Sequence, residues 1–169
     1  MEVLARSAEG KGAVGAHTKC LARCVRLCKS NSEEIEIQIK ALNLLGGLLV
    51  APALWPTVVK AGAIGAAVAM LKREDVTEAS ASKAVGMLYC LLMCGYVASL
   101  RDTPGCLELL TKAMDGRFGA AAADTAKLAM VELTKKLVKT AEQMKDEERR
   151  DEERREGSEA APAPAVEVE

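Results

Sequence analysis

The feature that most constrains this chain is that it repeats itself. The pattern A-x-x-x-[LM]-x-x-L occurs three times, as Ala41…Leu45…Leu48, Ala84…Leu88…Leu91 and Ala126…Met130…Leu133, at spacings of 43 and 42 residues. A second landmark lies upstream of each copy. Gly12-Ala13-Val14-Gly15-Ala16 recurs as Gly62-Ala63-Ile64-Gly65-Ala66, with a weaker echo at Gly105-Cys106-Leu107. Two landmarks recurring in one order point to tandem units. Such units cannot bury their apolar faces alone and must stack.

Each unit reads as a short helix, a glycine break, a medium helix, a polar turn and a long helix. The first medium helix is placed at 13–29. At 100° per residue, Val14, His17, Cys20, Leu21, Cys24, Val25 and Cys28 share its apolar face, which predicts a partly buried His17. Lys19, Arg23 and Arg26 fall opposite. The turn Lys29-Ser30-Asn31-Ser32 offers an N-cap, with Glu33 and Glu34 suited to the positive end of the next helix. That helix runs to about Val50, where Pro52 stops it, and Trp55-Pro56 opens the next short helix. The second unit has a medium helix at 63–73, the turn Arg73-Glu74-Asp75 and a long helix at 77–94, ended by Gly95. Thr103-Pro104-Gly105 and Asp115-Gly116 punctuate the third.

Composition supports helix over sheet. Half the 169 residues are hydrophobic, chiefly Ala, Leu, Val and Met, and only 2% are aromatic. Trp55, Tyr89, Tyr96 and Phe118 are too few for a base-stacking platform, and a net charge of −1 argues against bulk phosphate binding.

From Glu142 the chain is almost wholly charged. Asp146 with Arg150 and Arg149 with Glu153 are placed for i,i+4 pairing, which extends the last long helix to about Glu156. The Gly-Ser-Glu-Ala-Ala-Pro stretch from Gly157 reads as disordered.

The glycine-alanine starts at 12 and 62 and the Ala41-Leu42-x-x-Leu45-x-x-Leu48 run resemble the armadillo repeat. The same periodicity is also compatible with its relative, the HEAT repeat. The resemblance implies an all-α, right-handed α-solenoid of about three three-helix repeats with a long charged C-terminal helix. The units are placed at about 2–50, 51–94 and 95–141, followed by a charged extension at 142–156 and a disordered tail at 157–169. The third unit departs most from the pattern, with Cys106 and the Ala120–Ala123 run.

In armadillo proteins the long helices line a concave groove. Members similar to importin-α place Trp and Asn there, in a run Ala-Leu-Trp-x-Leu-Ser-Asn. This chain has Asn43, Gly86 and Leu128 at the Trp position and Gly47, Cys90 and Glu132 at the Asn position, so capture of an extended basic peptide is not implied. The expected site is instead a shallow, partly apolar groove lined by these residues. Lys40 and Lys83, one turn earlier, would pair acids on a partner's helix or loop. Gly46, Gly47 and Gly86 either let a partner backbone approach closely or permit tight packing within the array. Lys19, Arg23 and Arg26 form a secondary basic patch.

Other chemistry fits poorly. Gly10-Lys11-Gly12-Ala13-Val14-Gly15 matches G-x-G-x-x-G, but no strand precedes it, and Ala16-His17 stands where a phosphate loop needs Lys-[Ser/Thr]. One histidine without an evident partner does not indicate catalysis. Cys20, Cys24 and Cys28 lie along one helix and read as small buried hydrophobes rather than a metal cage.

With no apolar h-region near Met1, the expected setting is intracellular, cytoplasmic and reducing, without disulfides. Residues 41–59 and 84–100 lack charge, as the arms of a membrane hairpin would, but the pattern opposes insertion. Pro52 and Pro56 interrupt the first stretch, and the third copy holds Lys127 and Glu132. The expectation is a non-enzymatic protein-binding module or scaffold with no cofactor, metal or small-molecule substrate and with a protein partner rather than nucleic acid or membrane. The alternative is a structural subunit of a large cytoskeletal, axonemal or ribonucleoprotein assembly.

Overall fold

The computed structural model describes Gly10, Ala13, residues 17–30 and residues 34–159, with side chains as far as residue 150. The protein is all-helical, with no strand among the described residues. Among the described residues eight α-helices are delimited, in order: α1 (Thr18–Lys29), α2 (Ile35–Leu48), α3 (Trp55–Lys60), α4 (Ala63–Leu71), α5 (Glu78–Met93), α6 (Val97–Asp102), α7 (Cys106–Met114) and α8 (Ala120–Glu159). A 3-10 turn, Pro52–Leu54, leads into α3. The chain divides into two units, one ending at Leu133 and one beginning at Thr134.

Within the first unit the breaks fall where glycine supplies a left-handed backbone. Gly62 and Gly105 occupy the positions before α4 and α7 at φ +99° and +80°, and Gly95, Gly116 and Gly119 are also left-handed. Only glycine adopts this conformation at little cost, so these sites punctuate the chain regardless of their neighbours. Thr77 caps α5 by a reciprocal pair: its Oγ1 accepts from the Ser80 amide at 3.2 Å, and its own amide donates to Ser80 Oγ at 3.0 Å.

Short, medium and long helices alternate, and like packs on like. The medium helix α1 packs on α4 and α4 on α7, while the long helix α2 packs on α5. Between consecutive medium and long helices, α1 packs on α2 and α4 on α5. The core between these layers is aliphatic: Leu21, Leu42, Leu45, Leu48, Met70, Leu88 and Leu91 are fully buried. On α8, Ala122, Ala126, Ala129 and Leu133 form the buried face, spaced three and four apart.

The uncharged run from 41 to 59 is sharply folded. No single helix among the described residues is long and apolar enough to cross a membrane, and the pair Ile35–Leu48 and Pro52–Lys60, which together have the length, is bent by 115°. Trp55 Nε1 donates to the Leu49 carbonyl at 2.7 Å across this bend.

Several sequence expectations are corrected. The first medium helix begins at Thr18 rather than 13 among the described residues, with His17 at its N-cap position, solvent-exposed and making no side-chain cap bond. The helical phase extrapolated from Val14 therefore does not carry through His17. The next helix is preceded by Glu34, which makes no side-chain cap bond; Asn31 to Glu33 lie outside the described residues. The charged helix reaches Glu159, so residues 157–159, expected in the tail, are helical, and residues 160–169 lie outside the described residues. Asp146 pairs with Arg149, i,i+3 at 3.4 Å, rather than with Arg150. The short helix expected before Gly10 and the 12–16 landmark, apart from Ala13, also lie outside the described residues.

Candidate protein-binding surface

Three long helices, α2, α5 and α8, carry the residues of the expected surface, at sequence offsets of 43 and 42. Because α2 and α5 pack side by side, residues 43 apart take equivalent places on adjacent helices. Lys40 and Lys83 are both exposed. One turn on, Asn43 and Gly86 are both half-buried, and a further turn on stand half-buried Gly47 and exposed Cys90. Val50 and Met93 follow, 71% and 51% exposed. On α8, Leu128 is 58% and Val131 54% exposed, opposite the buried alanine face, and Glu132 is half-buried. The fold thus brings the α2 and α5 members of the expected set onto neighbouring helices, with Leu128 and Glu132 on the corresponding turns of α8.

The glycines on these helices occupy open space. A Cβ built on Gly46, Gly47 or Gly86 meets no atom within 4 Å outside its own helix backbone. Close packing against a neighbouring element within the chain is therefore not what these positions accommodate. By contrast, Gly65 and Gly105 are closely covered. A Cβ on Gly65 would lie 3.1 Å from Lys29 Nζ, and one on Gly105 would lie 3.2 Å from Lys72 Nζ.

Sequence reasoning missed Val50, Met93 and Val131, since each belongs to an apolar run in which inward and outward positions are told apart only by the packing. It also missed the polar link between the end of α1 and the turn after α4. The Ser30 carbonyl accepts from Arg73 Nη1 at 3.0 Å and from Gln38 Nε2. Arg73 is held in place by a bidentate pair with Asp75, both bonds 2.7 Å, and its side chain is only 9% exposed. That hydrogen bonding raises the Arg73 pKa and lowers that of Asp75. Gln38 itself is fully buried beside the Cys28 thiol, which donates to the Gln38 carbonyl at 3.8 Å.

On α1, Lys19, Arg23 and Arg26 are exposed, while Cys24 and Cys28 are buried and Cys20 half-buried. Burial pushes the Cys28 thiol up to about 12, with Cys24 adding to it, and the Cys24 thiol up to about 11, with Cys20 adding to it. Burial likewise raises Cys106 to about 11. None of the cysteines is in a disulfide among the described residues, and no cluster of three or more His, Cys, Asp or Glu side chains there could hold a metal ion.

No protein-family model, curated protein or solved structure matches this chain.

Proposed function

We infer that the chain is a non-enzymatic, intracellular protein-binding module, an armadillo-like right-handed solenoid of about three units. Its long-helix face receives a helix or loop of a partner. The observation that carries this reading is the combination of open glycines with exposed apolar residues on successive long helices. Gly46, Gly47 and Gly86 meet nothing, while Val50, Met93, Leu128 and Val131 are each more than half exposed. An apolar strip over open backbone is suited to another chain's side chains, and exposed lysines at one end of it, Lys40 and Lys83, suit acids on that chain. The alternation of short, medium and long helices, and the packing of like on like, support the repeat architecture.

The test is affinity purification of the tagged full-length chain from its native cell with mass spectrometry, in parallel with a Gly47→Leu/Gly86→Leu variant. The expected result is a partner captured by the parent and lost by the variant at unchanged helicity. Equal capture by both overturns the groove.

The same exposed apolar residues favour a second reading, a permanent subunit of a larger assembly in which neighbours cover them. Size-exclusion chromatography of the isolated chain separates the two. A monodisperse monomer favours the adaptor, and aggregation relieved by co-expressed partners favours the subunit.

A further inference from the structure

A cavity of about 350 Å³ opens on the medium-helix layer, lined by Leu71 and Lys72 from the end of α4, Gly105 before α7, and Glu108, Lys112 and Arg117. Three cations and one carboxylate share this lining. Lys112 Nζ forms an ion pair with Glu108 Oε1. The Glu108 carboxyl is held below its ordinary range, first by that hydrogen bond and the Lys112 charge, then by the fields of Lys72 and Arg117. The three cations and the carboxylate thus line one and the same cavity. The cations' combined charge exceeds that of Glu108 by two, and the positive end of α7 begins at the same wall.

We propose that this cavity is an acceptor site for an Asp/Glu-rich segment of a partner protein, separate from the long-helix face, with Glu108 as the internal carboxylate that an incoming one joins or displaces. The charge excess supplies the attraction, and the cavity, with Leu71, Pro104 and Leu109 also in its lining, has room for acidic side chains. Nucleic acid is the less fitting occupant. The chain's net charge is −1 and its aromatics are 2% of residues, so neither a phosphate-tracking surface nor base stacking accompanies the three cations. This site does not depend on the groove reading, since it lies on α4 and α7 rather than on α2 and α5.

The experiment is fluorescence anisotropy of a labelled hexaglutamate peptide with the full chain at low ionic strength, with an oligouridylate of equal charge as the comparison. The expected result is binding of the peptide over the oligonucleotide. Affinity falls about tenfold in Lys72→Glu and less in Lys72→Met, which keeps the stem over Gly105. Glu108→Gln removes the competing carboxylate and raises affinity about threefold, a gain that a folding defect cannot produce. Lys19→Glu/Arg23→Glu, on the separate basic patch of α1, leaves peptide affinity unchanged. Absence of peptide binding, indifference to both Lys72 variants, no gain in Glu108→Gln, an equal loss in the α1 variant or a preference for the oligonucleotide would each overturn the proposal.

Discussion

The Lys72 side chain lies against the backbone of Gly105, so closely that a Cβ there would stand 3.2 Å from both Cε and Nζ. Lys29 lies in the same way over the start of α4, with Gly62 and Gly65 beneath it. The two lysines are 43 residues apart, as are Gly62 and Gly105. The sequence repeat is thus also a repeat of contacts: the last residues of one medium helix rest on the glycine that opens the next.

Gly105→Ala should destabilise the protein by about 1–2 kcal/mol, because φ is +80° and the new methyl presses on Lys72. Trimming the lysine in Gly105→Ala/Lys72→Ala relieves the contact but leaves the backbone strain, so most of the loss persists. Urea denaturation of the parent and the two variants measures the split.

Alanine at Gly46, Gly47 or Gly86 should have the opposite sign. These residues are inside helices and the added Cβ meets nothing, so each substitution raises stability by about 0.5–1 kcal/mol. A loss of stability in the same assay would show that the positions are packed after all.

Arg73→Ala should cost about 1–2 kcal/mol by removing the bond from the turn after α4 to the Ser30 carbonyl. Because Asp75 orients Arg73, Asp75→Asn lowers stability by less, and the double variant costs little more than Arg73→Ala alone.

Thiol reactivity should sort by burial. Exposed Cys90 reacts first with iodoacetamide at pH 8, while Cys24, Cys28 and Cys106 resist until the protein unfolds, as peptide mapping would register. These three thiols have folded pKa values raised to about 11 or 12 above an ordinary 9.0. Their contribution to stability is therefore fully present below pH 9 and is lost as pH rises through 11–12. Alkaline melts of the parent should fall steeply there, and a Cys28→Ala variant should fall less steeply in the same window.

Where sequence and structure agree, the reason is local backbone physics. Gly62, Gly95, Gly105 and Gly116 were legible as breaks because a positive φ is a property of glycine itself. Pro52 was legible as a helix stop for a comparable reason. The exposed ends of the apolar face were not. Val50 and Met93 are chemically like buried Leu49 and Leu92, and only the direction of the neighbouring helix separates them. His17 was misplaced because a helical phase was carried across the start of α1. The cavity at Lys72, Lys112 and Arg117 escaped because its charges meet across more than thirty residues of sequence, although the matched 43-residue offsets of Lys29–Lys72 and Gly62–Gly105 were there to be read.

The 115° bend between Leu48 and Trp55 has a consequence beyond packing. Drawn out straight, residues 35–60 would make a rod of about 39 Å, greater than the thickness of a bilayer's hydrocarbon interior. Pro52 and the Trp55–Leu49 clasp divide that rod into two pieces, neither with such reach. A few atoms at one corner therefore decide whether the same apolar segment has the length to bridge that interior.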